Sequence, residues 1–253
     1  MIDIIIPTLK KPHLKECLEA LKKNTSVPYR LFLIGEGKSW PEAINIGLKK
    51  AGYKHDVVLM DDDIRVLPGW LDNIEEYKKI ADIIGFKLLF PNGKIAHAGG
   101  FVTIDPIRKI CGLLFKKPTY QLFSINVIGY NENDRGQYDK IKYLPHVTTS
   151  LIYIKKDVFQ KIKKMSVWKG HQFEDVDFGF KALEKGFKIL YTPNKAIHLL
   201  TATKKNFKDI NKKAEINYLT LHKKWLQNKK FLQLLKEKKF IVFKLWKLWF
   251  MKF

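Results

Sequence analysis

The sequence predicts an α/β fold in which a mostly parallel sheet is flanked by helices. Three short apolar runs, at residues 3–8, 29–34 and 57–60, are rich in Ile, Val, Leu and Phe, which is typical of buried strands. The segments 13–23 and 41–51 between them carry apolar residues at helical spacing. A strand–helix–strand–helix–strand order with short connections favours parallel strands joined by right-handed crossovers.

The rest of the chain is predicted to continue with helices and strands. We expect helices at 69–81, 157–164 and 174–185, and strands at 83–90, 146–154 and 188–191. Pro193 is expected to end the last of these strands, because proline cannot donate a ladder hydrogen bond. Residues 105–143 show no clear period, and a long irregular insertion of this kind is often a binding loop.

Length and composition are those of one large globular domain with an appendage. The 253 residues are 46% hydrophobic and 28% charged, which excludes a disordered chain. The formal net charge is +22, and residues 204–253 carry fifteen lysines against three acids, so +12 of that charge lies there. We therefore predict a domain at 1–203 and a basic tail at 204–253. Such a tail meets an anionic partner, either a membrane surface or nucleic acid.

The cysteines and the N-terminal residues indicate a reducing compartment. Cys17 and Cys111 are far apart and lack metal-ligand spacing, so we interpret them as buried or incidental thiols. Strand-like residues begin at Ile2 without a basic region or cleavage site, so no signal peptide is expected. No run of about eighteen apolar residues predicts a membrane span. A cytosolic location is therefore expected.

Three adjacent acids, Asp61, Asp62 and Asp63, directly follow the third predicted strand. Neighbouring carboxylates repel and raise one another's pKa, which a divalent cation relieves. Asp61 and Asp63 supply the oxygen ligands that Mg²⁺ and Mn²⁺ prefer. The alternative is a solvated acidic loop or a helix start. Thr8 and Glu36 follow the other two strands, at the sheet edge where parallel sheets bind ligands.

Four motifs together carry a resemblance to a known family. They are residues 4–8 (Ile-Ile-Ile-Pro-Thr), the acidic triplet with 68–71 (Pro-Gly-Trp-Leu) behind it, the segment 91–100 (Pro-Asn-Gly, then His-Ala-Gly-Gly) and residues 174–177 (Glu-Asp-Val-Asp). In this order they resemble glycosyltransferase family 2, of GT-A fold, over roughly residues 1–200. The segment 91–100 is also common in the family's bacterial members that build surface polysaccharides.

The resemblance implies roles for these motifs. Residues 1–100 would bind the nucleotide-diphosphate sugar donor, and residues 101–203 would hold the acceptor and the catalytic residues. The metal, Mn²⁺ or Mg²⁺, would be held by Asp61, Asp63 and His198, and the nucleotide sugar by Pro7, Thr8, Glu36, Asn45, Asp61 and Asp62. Asp175, beside Glu174, would be the base of an inverting reaction. Gly35 stands where the family usually has an Asp that contacts the nucleotide base, so Glu36 is the candidate substitute.

The same chemistry follows from the residue types. The diphosphate leaving group needs a divalent metal or an Arg/Lys clamp, and the acceptor hydroxyl must lose its proton to a carboxylate. Glu174 and Asp175 serve that purpose, or they simply complement the dipole of a predicted helix. The dipole should lower the pKa of Asp175 and keep it ionised at neutral pH. Weaker candidates for contact with the acceptor are Trp168, His171 and Asp177, and weaker candidates for lining the pocket are His97 and His146. The alternative for each of these residues is a place in the core or on the surface. His198 is as often a structural histidine as a ligand.

The C-terminal residues 228–253 predict an amphipathic helix. Eight lysines, one glutamate and seven Phe or Trp residues fall in this range. On a helical wheel the lysines lie mainly opposite an apolar arc, although Phe240 and Phe243 break the pattern; the arc is formed by Phe231, Leu235, Val242, Trp246, Trp249 and Phe253. Such a helix suits an anionic membrane interface. The alternatives are a helix packed on the domain, a dimer contact or, least favoured, single-stranded nucleic acid.

The leading hypothesis is a metal-dependent, inverting glycosyltransferase of surface-polysaccharide synthesis. Its acceptor would be a glycan or a lipid-linked sugar, and it would work in the cytoplasm on the inner membrane face, without nucleic acid. One alternative is a non-enzymatic basic protein that binds membranes or nucleic acid, which predicts no metal-dependent nucleotide binding. The other is a nucleotidyltransferase that makes nucleotide sugars. Residues 7–11 have the lysines of a phosphate loop but no glycine, which disfavours that alternative.

Overall fold

The computed structural model describes residues 1–9, 12–104, 123–168, 172–199 and 207–243. The strands are β1 (Ile2–Pro7), β2 (Tyr29–Ile34), β3 (Asp56–Met60), β4 (Ile64–Val66), β5 (Ile83–Leu89), β6 (Ile95–His97), β7 (Gly100–Ile104), β8 (Phe123–Val127), β9 (Lys142–Tyr143), β10 (Leu151–Ile154), β11 (Ile189–His198) and β12 (Ile241–Phe243). The helices are α1 (His13–Asn24), α2 (Trp40–Ala51), α3 (Ile74–Ile80), α4 (Lys156–Ile162), α5 (Glu174–Glu184), α6 (Phe207–Leu221) and α7 (Lys229–Glu237). A π-helical turn, His222–Leu226, joins α6 to α7.

The main sheet has the strand order β2-β1-β3-β10-β5-β11-β4. β1 pairs in parallel with β2 and β3, and β11 pairs in parallel with β5, as the sequence predicts. β10 lies between β3 and β5 and runs antiparallel to both. The sheet is therefore mostly parallel, with β10 reversed at its centre and β4 reversed at its edge.

Helices cover both faces of this sheet because the strand residues alternate between two cores. Ile5 of β1 belongs to the core under α2 and α5, whereas Ile4 and Ile6 belong to the core under α1. All three are fully buried, as expected for a strand covered on both sides. The helix α2 ends at Gly52, whose left-handed φ of 78° lets its N–H reach the carbonyl of Leu48.

Several predicted boundaries are wrong for identifiable reasons. β11 runs on past Pro193 to His198, because a register shift between Tyr191 and Lys195 interrupts the ladder at the proline. The helix predicted at 69–81 begins only at Ile74, after Asn73 in the left-handed region. The strand predicted at 146–154 is restricted to Leu151–Ile154.

A second sheet, in the order β12-β7-β8, corrects the prediction for the tail. The single helix expected over 228–253 ends at Glu237, Lys239 takes a left-handed φ of 57°, and β12 then pairs in parallel with β7. Phe231 and Leu235, assigned above to a membrane-facing arc, are instead buried in the core. Phe231 and Leu235 therefore pack on the domain. Trp246, Trp249, Phe253 and Cys111, like the proposed domain boundary at 203/204, lie outside the described residues.

Within the described ranges, no helix has the length and apolar character needed to cross a bilayer.

We predict that the substitution Phe231→Ala lowers the free energy of unfolding by about 3–5 kcal/mol, the usual cost of removing a buried aromatic ring. The ring of Phe231 lies 4.8 Å from that of Trp225 and 5.0 Å from that of Phe180, between centroids. Urea unfolding measures the change, with Ile216→Ala as the control, because Ile216 is exposed on α6. A loss below about 1 kcal/mol for Phe231→Ala would show that the C-terminal segment is not part of the core.

Candidate active site

The strand ends bring the predicted donor-site residues together at one edge of the sheet. Thr8 follows β1 and Asp61 follows β3. β4 pairs antiparallel with β11 so that Ile64 is opposite His198. The amide of Leu199 donates to the carbonyl of Asp63 at 3.1 Å. His198 thereby reaches the acidic triplet from the far side of the sheet.

Asp61, Asp63 and His198 form a cluster able to bind a cation. One ligand atom from each lies within 4.8 Å of the others, and His198 Nε2 is 3.3 Å from Asp63 Oδ1. Two carboxylates and an imidazole are ligands that suit Mn²⁺. The residues present therefore fit the divalent ion that the sequence predicts.

The charges within the cluster are only partly balanced by the protein. Burial raises the pKa of Asp61, against the opposing effects of His198 and of hydrogen bonds from Ser150 and Trp40. Burial lowers the pKa of His198, but its hydrogen bond to Asp63 and the charges of both aspartates outweigh that effect, so the net shift is upward. A bound cation would favour ionised aspartates and a neutral imidazole.

Two polar contacts hold the triplet in place. The indole N–H of Trp40, at the start of α2, donates to Asp61 Oδ1 at 2.6 Å. The hydroxyl of Thr8 donates to Asp62 Oδ2 at 2.7 Å. Asp62 therefore faces the end of β1, whereas Asp61 and Asp63 face His198.

A cavity of about 570 Å³ opens beside Thr8 at the ends of β1 and β2. Its lining consists of Thr8, Pro12, Leu14, Lys15, Leu18, Leu33 and Gly35. Its mixture of apolar side chains with a hydroxyl and a lysine resembles that of small-molecule sites. Pro7 ends β1 directly before it. The missing side chain at Gly35, where the family usually has an Asp, leaves this end of β2 open.

Two predicted nucleotide-sugar contacts, Glu36 and Asn45, have polar partners within the protein. Glu36 is an exposed residue whose carboxylate is paired with Lys50 Nζ at 2.7 Å, instead of facing the cavity. Asn45 uses its side-chain amide on the backbone of Met165, donating to the carbonyl at 3.0 Å and accepting from the N–H at 2.8 Å. Asn45 thus joins α2 to the segment before α5.

Glu174 and Asp175 are the first two residues of α5. Burial raises the pKa of Glu174 to about 7 and that of Asp175 to about 6, and the negative charge of Asp61 contributes to both shifts. The prediction of a lowered pKa for Asp175 is therefore wrong, because desolvation outweighs the hydrogen bond that Asp175 accepts from Val176 at 2.8 Å. Asp61 thus interacts electrostatically with both carboxylates.

We predict that Glu174→Gln raises the free energy of unfolding of the metal-free protein at pH 8, by up to about 3 kcal/mol. The folded-state pKa of about 7 lies above the ordinary value of 4.5, so ionising Glu174 costs stability as the pH rises through that window. Urea unfolding at pH 8 and pH 5 measures the effect, which should fall below about 1 kcal/mol at pH 5. Glu184→Gln, at the exposed end of α5, is the matched control. Equal stability of Glu174→Gln and wild type at pH 8 would contradict the raised pKa.

The predicted acceptor residues lie in different environments. Asp177 is buried, and its Oδ1 accepts from Trp225 Nε1 at 2.8 Å and from Lys224 Nζ at 2.5 Å. It thus anchors the first turn of α5 to Lys224 and Trp225. Lys224 Nζ lies 5.9 Å from the centre of the Trp168 ring. The indole N–H of Trp168 is buried without a hydrogen bond among the described residues. His171 lies outside the described residues.

His97 and His146 are buried, neutral histidines. Burial lowers the pKa of His97 to about 3, and its Nδ1 accepts from the N–H of Gly99 at 3.0 Å. Burial lowers the pKa of His146 to about 4. The ring of His146 fills the space over Gly100, where a Cβ atom would approach it to 2.0 Å. His146 is thus a core residue.

Trp40 and Ser150 are site residues that the sequence analysis missed. Trp40 orients the carboxylate of Asp61, and the carbonyl of Ser150 accepts a hydrogen bond from the amide of Asp61 at 2.8 Å. Both come from other elements than the triplet, and their contacts depend on tertiary packing. No local pattern in the sequence marks them.

Comparison with known proteins identifies the fold. No protein-family model and no curated protein sequence matches this chain. Among solved structures, GalNAc-T7 with UDP, GalNAc and Mn²⁺ is similar, with a TM-score of 0.60 and 13% identity over 90% of this chain. A197 from STIV is also similar, with a TM-score of 0.51 and 13% identity over 79% of this chain and 85% of its own. The chain spans about half of GalNAc-T7, 49% of its length.

These likenesses, with the mostly parallel sheet flanked by helices, show a GT-A fold. At 13% identity the comparisons define the fold, and the assignment of an activity depends on the site itself.

Proposed function

We propose that this protein is a metal-dependent glycosyltransferase that moves a sugar from a nucleoside-diphosphate donor to a hydroxyl acceptor. The observations that carry this proposal are the cluster of Asp61, Asp63 and His198 and the pair of carboxylates at the start of α5. Asp61, Asp63 and His198 form a cluster able to hold a cation, and burial, with a smaller contribution from the charge of Asp61, raises the pKa values of Glu174 and Asp175. A leaving diphosphate and an attacking hydroxyl require these two functions close together.

The donor would bind along the ends of β1, β2 and β3. Asp61, Asp63 and His198 would hold Mn²⁺ or Mg²⁺, which neutralises charge on the departing diphosphate. Trp40 keeps Asp61 oriented, and Thr8 binds Asp62 beside the cavity. That cavity of about 570 Å³ would take the nucleoside. Because GalNAc-T7 was crystallised with UDP and Mn²⁺, a uridine diphosphate sugar is the first donor to test.

Asp175 is the proposed base. Its pKa of about 6 keeps it mostly ionised at neutral pH yet basic enough to accept a proton from the acceptor hydroxyl. Glu174, with a pKa of about 7, is half protonated there and would donate to or accept from a sugar hydroxyl. A base on the acceptor side supports direct displacement with inversion, as in family 2. The proposed acceptor is a glycan or lipid-linked sugar of a bacterial surface polysaccharide.

Thermal unfolding tests this proposal without knowledge of the acceptor. UDP, GDP, dTDP, CDP and ADP are each added with Mn²⁺ or with EDTA. A ligand present at about 100 times its Kd stabilises the folded state by about 2.7 kcal/mol, which raises Tm by several degrees. We expect one nucleotide to do so with Mn²⁺ and not with EDTA. No Mn²⁺-dependent rise with any of the five would reject the proposal.

A cytoplasmic position on the inner membrane face is part of the proposal, supported by the lysine-rich sequence of residues 244–253. Truncation after Gln227 would remove Phe231 and Leu235 from the core, so the informative truncation is after Phe243. We predict that it weakens binding to anionic liposomes, at about 1 kcal/mol for each lysine lost, while nucleotide binding is unchanged. Cosedimentation at low and high salt measures this. Equal liposome binding by the truncated protein would remove the membrane from the proposal.

A further inference from the structure

The backbone directly before Glu174 is held in an unfavourable conformation. Gln172 and Phe173 have φ angles of 92° and 69°. Neither is glycine, and a bulky residue in the left-handed region costs about 1–2 kcal/mol. Such a conformation persists where surrounding contacts impose it. Phe173 is the N-cap residue of α5, so its conformation sets the direction in which Glu174 and Asp175 leave the chain.

Contacts from the C-terminal helix hold these two residues. Asn217 of α6, itself buried, donates from Nδ2 to the carbonyl of Gln172 at 3.2 Å. The ring of the next residue, Tyr218, lies 5.6 Å from that of Phe173, between centroids. The two strained residues thus have partners at consecutive positions of α6.

The first turn of α5 is held by the same segment. Trp225 Nε1 and Lys224 Nζ both bind Asp177 Oδ1, at 2.8 and 2.5 Å. The amide of Asp177 donates to the carbonyl of Phe173 at 2.9 Å, which is the first hydrogen bond of the helix. Residues 217–225, here called the positioning segment, therefore contact α5 immediately before and immediately after the proposed catalytic pair.

We propose that the positioning segment holds Glu174 and Asp175 in their productive orientation, with Asn217 as its principal positioning residue. Asn217 acts through the backbone of Gln172 and touches no substrate. The catalytic part of this inference rests on the proposed transferase function. Fixing a carboxylate through its backbone matters because a base must lie within hydrogen-bond reach of the proton it abstracts.

The test compares Asn217→Ala, Trp225→Phe and the control Thr220→Val. Thr220 is exposed one turn away on α6 and donates its hydroxyl to the carbonyl of Ile216, in the same helix, at 2.8 Å. Trp225→Phe removes the indole N–H and keeps an aromatic ring, so it serves if Asn217→Ala does not fold. Hydrogen–deuterium exchange at the amide of Asp177 reports on the carbonyl of Phe173. Release of UDP from UDP-sugars with Mn²⁺ gives kcat and the donor KM.

We expect Asn217→Ala to speed exchange at Asp177 by at least tenfold, with kcat about tenfold lower and the donor KM within twofold. Trp225→Phe should shift both quantities in the same direction, and Thr220→Val should shift neither. Unchanged exchange in the folded variants overturns the inference, as does faster exchange with unchanged kcat, which would mean a purely structural contact. Faster exchange in the variants, together with a wild-type protein that releases no nucleoside diphosphate from UDP-, GDP-, dTDP-, CDP- or ADP-sugars, would uphold the hold on α5 and count against the proposed function instead.

Discussion

Asp175→Asn is expected to lower sugar transfer by about a hundredfold or more, the usual scale for losing a general base. The amide has the shape of the carboxylate but cannot accept the proton. Because the pKa of Asp175 is about 6, the rate of the wild-type protein should also fall as the pH drops below 6. The residual rate of the variant should lack that acid limb. Transfer kinetics between pH 5 and pH 8 measure both effects.

The neighbouring amide variants separate Asp175 from the other acids of α5. Donor KM should change little in Asp175→Asn, since the base faces the acceptor. Glu174→Gln should retain more activity, and Asp177→Asn should lose stability through its contacts with Trp225 and Lys224. Near-normal turnover in Asp175→Asn with a collapse in Glu174→Gln would move the base to Glu174. Near-normal turnover in both would end the assignment of a base to this helix.

Asp63→Asn is expected to abolish the Mn²⁺-dependent rise in Tm caused by nucleoside diphosphate. Asp63 supplies one of the three potential ligand atoms and binds His198 directly. Replacing a carboxylate by an amide removes the charge that attracts a divalent cation. The effect should reduce a rise of several degrees to less than about one degree.

The metal-free Asp63→Asn protein should keep the fold, because one of three crowded negative charges is removed. Asp157→Asn, an exposed acid in the first turn of α4, is the matched control and should keep the full rise. A metal-dependent rise that survives in Asp63→Asn would show that the cation binds elsewhere. The same experiment with His198→Ala tests the third ligand.

The sheet and the acidic cluster were accessible from sequence because their signals are local. The consecutive residues Ile4, Ile5 and Ile6 place apolar side chains on both faces of their strand. This predicts a strand buried on both sides, and all three residues are fully buried. The acids follow a strand of the same kind, and β-α-β order fixes the edge at which they lie. The family resemblance also led to His198, which the structure places 3.3 Å from Asp63.

What the sequence did not reveal depends on contacts between distant segments. The helical wheel for residues 228–253 separated lysines from aromatic residues, but an apolar arc fits a protein core as well as a membrane. Phe240 and Phe243 already broke the pattern, and the chain there turns at Lys239 into β12. The sign of the pKa shift at Asp175 was missed because burial by the rest of the domain outweighs the local helix dipole.

The most direct test of the proposed function is release of nucleoside diphosphate from UDP-, GDP-, dTDP-, CDP- and ADP-sugars, with Mn²⁺ or with EDTA. It is measured for wild type, Asp63→Asn and Asp175→Asn side by side. We predict that one class of donor is turned over with Mn²⁺ and not with EDTA, and that both variants lose this turnover. Turnover that persists in EDTA and in both variants, or no turnover and no metal-dependent nucleotide binding across the panel, would contradict the assignment.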